Sequence, residues 1–225
     1  MFGTPLFFLS LSLFLLWCLL FFLSKKTRVE QILISLAGLF LTPGILWLVI
    51  VRFVQGQDFI HISAIRWEDL LFVFSLCGIS AVIYEILFAS SFLSVKKKKK
   101  IKIDPSASHW FFVLIFILSI WSGLSLLLTF LFEQQIIFAF VVAGLLVGIY
   151  MLIGRRDLIG NAIISGCFIM LLLWLLEGIF SIRLSFIISQ IPSTSKGIEQ
   201  WLWFGTIGFT LGPLYEYVRH YRIRS

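Results

Sequence analysis

Apolar residues fill seven long runs along the chain, at 6–23, 32–51, 70–93, 110–132, 136–153, 161–182 and 200–218. Polar intervals separate them. Those at 25–30, 133–135 and 155–160 leave room for little more than a turn, whereas 52–68, 96–109 and 183–199 are longer. Each run approaches the ~20 residues that a helix needs to cross a bilayer. Within a run the residues are apolar on every side. A membrane barrel would instead alternate apolar and polar positions. In lipid, only helices and closed barrels satisfy their own backbone, so the pattern predicts seven transmembrane helices and an all-α membrane protein.

Composition supports that reading: 60% of the 225 residues are hydrophobic and only 13% charged, against about 25% charged in a soluble domain. The first run stays apolar to Leu23 and meets its first charges at Lys25 and Lys26. It lacks the basic start of a signal peptide and is expected to be a retained first helix of a multi-pass protein of the cell (cytoplasmic) membrane.

The net charge of +7 lies between the apolar runs, which points to topology and lipid headgroups rather than to nucleic acid. Loops after the odd-numbered helices carry 14 of the 18 basic residues: Lys25, Lys26, Arg28, Lys96 to Lys100, Lys102, Arg155, Arg156, Arg219, Arg222 and Arg224. Positive loops stay in the cytoplasm, which places the N-terminus outside and the C-terminus inside. The Lys96 to Lys102 run reads either as a site for anionic headgroups or simply as a topology anchor.

Sliding the chain along itself by 131 residues lays the first three helices on the last three without a gap. Glu68 falls on Glu199, Leu71 on Leu202, Phe72 on Trp203, Tyr84 on Tyr215 and Glu85 on Glu216. Charged groups inside membrane helices are costly and rarely idle, so this match outweighs the apolar background. The expected arrangement is 3+1+3: a three-helix repeat at 1–95, a basic loop and linker helix at 96–135, and a second three-helix repeat at 136–225. Three helices plus one linker make the two units parallel, with a ligand site at their interface.

Within one helix, Glu68 and Glu85 lie about 25 Å apart at ~1.5 Å per residue, too far to pair. Across the two units, Glu68 and Glu199 share the outer level, and Glu85 and Glu216 the inner half. Asp69 adjoins Glu68, and Glu177 lies near the outer end of the sixth helix. A carboxyl group in such an apolar site is a candidate general acid. Glu68 and Glu199 also begin helices, where a carboxylate stabilises the N-terminal dipole, and Glu216 lies close to Arg219. Phe72, Trp203, Tyr84 and Tyr215 recur beside the acids. Their ring faces suit either packing or a carbocation. Cys18, Cys77 and Cys167, and His61, His109 and His220, are scattered and form no metal-ligand pattern. No cofactor is expected.

Around the third and seventh helices the chain resembles the small integral-membrane lycopene cyclases, built of three-helix units as fused chains or separate subunits. That family repeats a Pro-x-Glu-Glu/Asp motif before an aromatic-rich helix. The matching stretches are Arg66-Trp67-Glu68-Asp69 before Leu70-Leu71-Phe72-Val73-Phe74, and Gly197-Ile198-Glu199-Gln200 before Trp201-Leu202-Trp203-Phe204. The ending Gly212-Pro213-Leu214-Tyr215-Glu216-Tyr217 is similar to that of divergent members. Arg66 and Gly197 stand where the motif has proline, and Gln200 replaces its second acid.

The resemblance implies an intramolecular lyase or isomerase that closes a ring on a lipid-soluble linear polyene such as lycopene, without redox change. Glu68 and Glu199 are then acid and base, Asp69 positions a proton, and Phe72 and Trp203 shield the cation. Tyr84, Glu85, Tyr215, Glu216 and Glu177 complete the expected substrate site. Membrane-enzyme partners also fit such a protein. A transporter with parallel three-helix repeats and a non-catalytic partner subunit are the alternatives. A retinal protein is excluded, because its Schiff base needs a lysine and residues 200–218 contain none.

Overall fold

The computed structural model describes residues 5–39, 67–89, 107–131, 136–180 and 198–219. Among these the chain is helical throughout and contains no strand. Helix α1 spans Pro5–Leu23 and α2 residues 28–39. Helix α3 spans Trp67–Tyr84 and continues as a π-helical turn over Glu85–Ala89. Helices α4 (Ala107–Leu131), α5 (Ile136–Gly154), α6 (Ile159–Phe180), α7 (Ile198–Leu211) and α8 (Leu214–Arg219) follow. A 3₁₀ turn at Arg156–Leu158 joins α5 to α6.

Trp67–Phe88, Phe111–Leu131 and Arg156–Ile179 are long and apolar enough to cross a membrane, and Phe7–Leu23 and Phe138–Gly154 are shorter apolar helices. Large apolar side chains, among them Phe22, Phe112, Leu131, Ile153 and Ile179, stand exposed on the outside. A water-facing monomer rarely shows so much apolar surface. The expected loop at Lys96 to Lys102 lies outside the described residues.

Two helix ends differ from the apolar pattern, each for a local reason. Helix α2 begins at residue 28, four residues before its apolar run, because the intervening turn is tightly bound to α1. The Ser24 amide donates to the Leu20 carbonyl at 3.2 Å, and the Gln31 amide to Thr27 at 2.9 Å. Arg28 Nε donates to the Phe21 carbonyl at 2.8 Å with its guanidinium 5.1 Å from the Phe21 ring centre, so a cation satisfies the C-terminal carbonyls of α1. The seventh apolar run, expected as one helix, is interrupted at Gly212–Pro213. Pro213 has no N–H to donate to the carbonyl four residues back, and its ring crowds that carbonyl. The helix resumes as α8, with the Tyr217 amide donating to the Pro213 carbonyl at 2.9 Å.

Helices α3 and α7 form the centre. From Ser75 to Ile83 every residue of α3 is buried, a pattern that requires neighbours all round. Those neighbours are α1, α6 and α7, with α2 touching through Ser35 and Gly38. Helix α7 packs on α5, α6 and α3, while α4 lies outside against α5 and α8.

The closest approach is between α6 and α7. A Cβ on Gly208 would collide with the Ser165 carbonyl, and one on Gly166 would lie 2.9 Å from the Gly205 carbonyl. Small residues at Gly166, Gly208 and Gly212 let the two backbones meet, as they do between helices in lipid.

Several contacts recur at the 131-residue offset. The Trp17 indole of α1 lies on Gly78 of α3, and the Phe209 ring of α7 lies on Gly148 of α5. Ser35 of α2 touches Gly78, and Gly166 of α6 meets Phe209. Ser75 Oγ donates to the Leu71 carbonyl at 2.8 Å, and Thr206 Oγ1 to the Leu202 carbonyl at 2.7 Å. Trp17 is further fixed by its own donor to Ser35 Oγ (2.9 Å) and by Gln31 Nε2 on its carbonyl (2.8 Å).

Candidate functional site

Two levels of the helical core hold buried carboxyl groups. At one end, α3 starts with Trp67, Glu68 and Asp69. Glu68 is 5% exposed, and its carbonyl accepts from Ser10 Oγ of α1 at 2.9 Å. Trp67 meets the Phe7 ring edge-on at 5.4 Å, which closes this end of the α1–α3 contact. Phe72, one turn on from Glu68 and hence on the same helix face, is 3% exposed. Asp69 is half-buried.

Glu199 lies in the first turn of α7, but its side chain falls outside the described residues. Trp203, one turn further along, is half-buried and packs against Phe204 at 5.1 Å and Phe140 at 6.2 Å. Glu177 is half-buried near the end of α6.

The other end carries the basic turns. Here the π-helical turn of α3 presents Glu85, and α8 presents Glu216. The two carboxyl groups come into hydrogen-bonding contact with each other, so acids matched by the offset meet directly. Glu216 is 1% exposed. Asn161 Nδ2, from the first turn of α6, donates to Glu216 Oε2 at 2.5 Å and to the Gly212 carbonyl at 3.2 Å. Asn161 Oδ1 accepts from Ser165 Oγ at 2.9 Å, which fixes the orientation of its amide. The Gly212 carbonyl is available because the break at Pro213 has opened the helix ladder.

Arg155 completes the level. Its Nη1 donates to the Glu216 main-chain carbonyl at 2.6 Å, and its Nη2 and Nε hold the Asp157 carboxylate at 2.6 and 3.3 Å. Lys26, from the turn before α2, acts electrostatically on Glu85, and the Tyr84 hydroxyl is close enough to feel Glu216. Tyr84 stacks on Phe88 at 5.5 Å, while Tyr215 is buried beside Glu216 in sequence.

Of the residues singled out from the sequence, the fold thus joins Glu85 to Glu216 and keeps Glu68 at the opposite level. Asn161 and Arg155 escaped the sequence reading. A signal existed for Asn161, because the 131-residue offset places it on Glu30, and both are buried polar residues near the start of apolar helices. Arg155 looked like one more topology-setting charge.

Chemically, the site offers buried carboxyl groups in an apolar, aromatic-rich core. Such groups can pass a proton to or from a substrate without competition from bulk water. No family model, curated protein or solved structure matches the chain.

Proposed function

We propose that the protein crosses the membrane seven times, with its N-terminus outside and its C-terminus in the cytoplasm. In this reading it is two parallel three-helix units, joined by α4, that close a ring on a lipid-soluble linear polyene. The recurrence of the Trp17–Gly78 and Phe209–Gly148 contacts at one offset supports the two units. The observation that carries the chemistry is the burial of Glu68 and Phe72 on one face of α3 within an apolar helical core.

A carboxylic acid at Glu68 or Glu199 protonates a terminal double bond of the polyene. The next double bond attacks the resulting cation and closes a six-membered ring. The partner carboxylate removes a proton from the ring, restoring a double bond, so substrate and product are isomers. Asp69 positions the proton, and the faces of Phe72 and Trp203 stabilise positive charge.

Expression in a lycopene-making host tests the proposal, with pigments separated by chromatography. The chain should produce cyclised carotenoid. Glu68→Gln and Glu199→Gln, at equal protein levels, should lower that yield by about 10²-fold or more, the usual worth of a general acid or base. Linear lycopene alone, beside a correctly inserted chain, would overturn the reading.

The helix irregularities favour one rival. Helix α3 turns π-helical at Glu85–Ala89, and the α7–α8 break at Gly212–Pro213 lies near the matching level of the second unit. Interrupted helices beside buried polar groups are also the mark of transporters. Substrate flux in proteoliposomes, sensitive to Glu85→Gln and Glu216→Gln, would select that alternative.

A further inference from the structure

We propose that Glu85 and Glu216 form a carboxyl–carboxylate pair that holds a single proton across the contact between the two three-helix groups. Glu216 Oε2 is taken by Asn161 Nδ2. Glu216 Oε1 is fully buried and meets no N–H or O–H donor, yet the Glu85 carboxyl lies in hydrogen-bonding contact with this side chain. An ionised carboxylate only accepts hydrogen bonds. The contact is therefore a bond only when one of the two groups carries a proton. With both ionised, two like charges would face each other out of water, which strongly disfavours the doubly charged form.

The groups around the pair hold its members in place. Asn161 Nδ2 from α6 bonds Glu216 Oε2, and Arg155 bonds the Glu216 main-chain carbonyl and the Asp157 carboxylate.

The proton sits at the basic end of the core, about 25 Å along α3 from Glu68 at ~1.5 Å per residue. The site is thus a proton-binding site distinct from the Glu68 level. It stands whether or not the protein acts on a polyene, since it needs only the two acids and their neighbours.

Infrared spectroscopy of the purified full-length chain in lipid vesicles reads the proton directly. At neutral pH the wild type should show a protonated-carboxyl C=O band that shifts in D₂O. Glu85→Gln and Glu216→Gln should each displace one component of this band, because an amide replaces one member of the pair, and the double variant should remove that component while leaving any contribution from the Glu68 level. Gln matches Glu in shape, so the single variants keep the fold. If the double variant yields no monodisperse protein, the two single variants decide. A band unchanged in both single variants would overturn the pair. So would the absence of such a band, or carboxylate bands from Glu85 and Glu216 that move when sodium replaces potassium, which would make the occupant a metal cation.

Discussion

In the first three-helix group the Trp17 indole of α1 covers Gly78 of α3, whereas in the second the small residue is Gly148 of α5 and the ring is Phe209 of α7. All four positions correspond at one 131-residue offset, yet the large and small partners have changed sides. The helix spacing is kept because one ring and one glycine fill the gap in either order, as packing to crystal-like density demands. At Glu85 and Glu216 the opposite holds: both groups keep the same residue, and the two meet each other. Packing therefore tolerates exchange at positions matched by the offset where only volume matters, and repeats the residue where a charge-bearing group faces its own counterpart.

Making one group resemble the other breaks the comparison most sharply at Cys77 and Gly208. Cys77 packs its thiol against Gly38, while a Cβ at Gly208 would strike the Ser165 backbone. Gly208→Cys should thus destabilise the chain by about 3 kcal/mol, the upper end for overpacking. Loss of monodisperse protein and a sharp fall in thermal midpoint in detergent would register this.

Gly78→Phe beside an intact Trp17 should cost about 1–3 kcal/mol. The double change Trp17→Gly with Gly78→Phe restores one ring against one glycine and should recover ~1 kcal/mol or more through coupling of touching residues. Recovery will be partial, because the Trp17 donor to Ser35 is lost and Ser35, where the second group has Gly166, still crowds position 78. A thermal-unfolding cycle of the four chains measures the coupling, and simple additivity would refute the exchange.

Asn161→Leu should follow, at about 1–3 kcal/mol, because it leaves Glu216 Oε2 buried without its donor. The effect should be largely absent when Glu216 is also changed to Gln, whose own amide no longer needs that donor as an ion would. The smallest change expected is Asp157→Asn, below ~1 kcal/mol, because the Arg155 pair is partly exposed and salt screens it. Melting in low and high salt should show the difference shrinking.

Among the described residues, the apolar runs marked the helices to within a few residues because outward-facing and core-facing positions are both apolar, so hydropathy reports the whole element. For the same reason it ran straight through Gly212–Pro213 and missed the break there. The level of each carboxyl could be counted along the helix, which is why Glu85 and Glu216 were expected at the same depth. Their partners were not legible, since rotation about a helix axis has almost no signature when every face is apolar. Asn161 reaches Glu216 only because α6 turns its first turn toward the break in the last helix. Arg155 carries a loop charge and hydrogen bonds at once, and charge counting sees only the first.

Ring closure, in the proposed function, begins by protonation and ends by deprotonation at a different carbon. Converting lycopene in D₂O with membranes containing the chain, followed by mass spectrometry of the product, tests it most directly. Wild-type membranes should yield a cyclised isomer carrying one deuterium for each ring formed, and membranes bearing Glu68→Gln none. A cyclised product without deuterium, or lycopene recovered unchanged from the wild-type membranes, would contradict it.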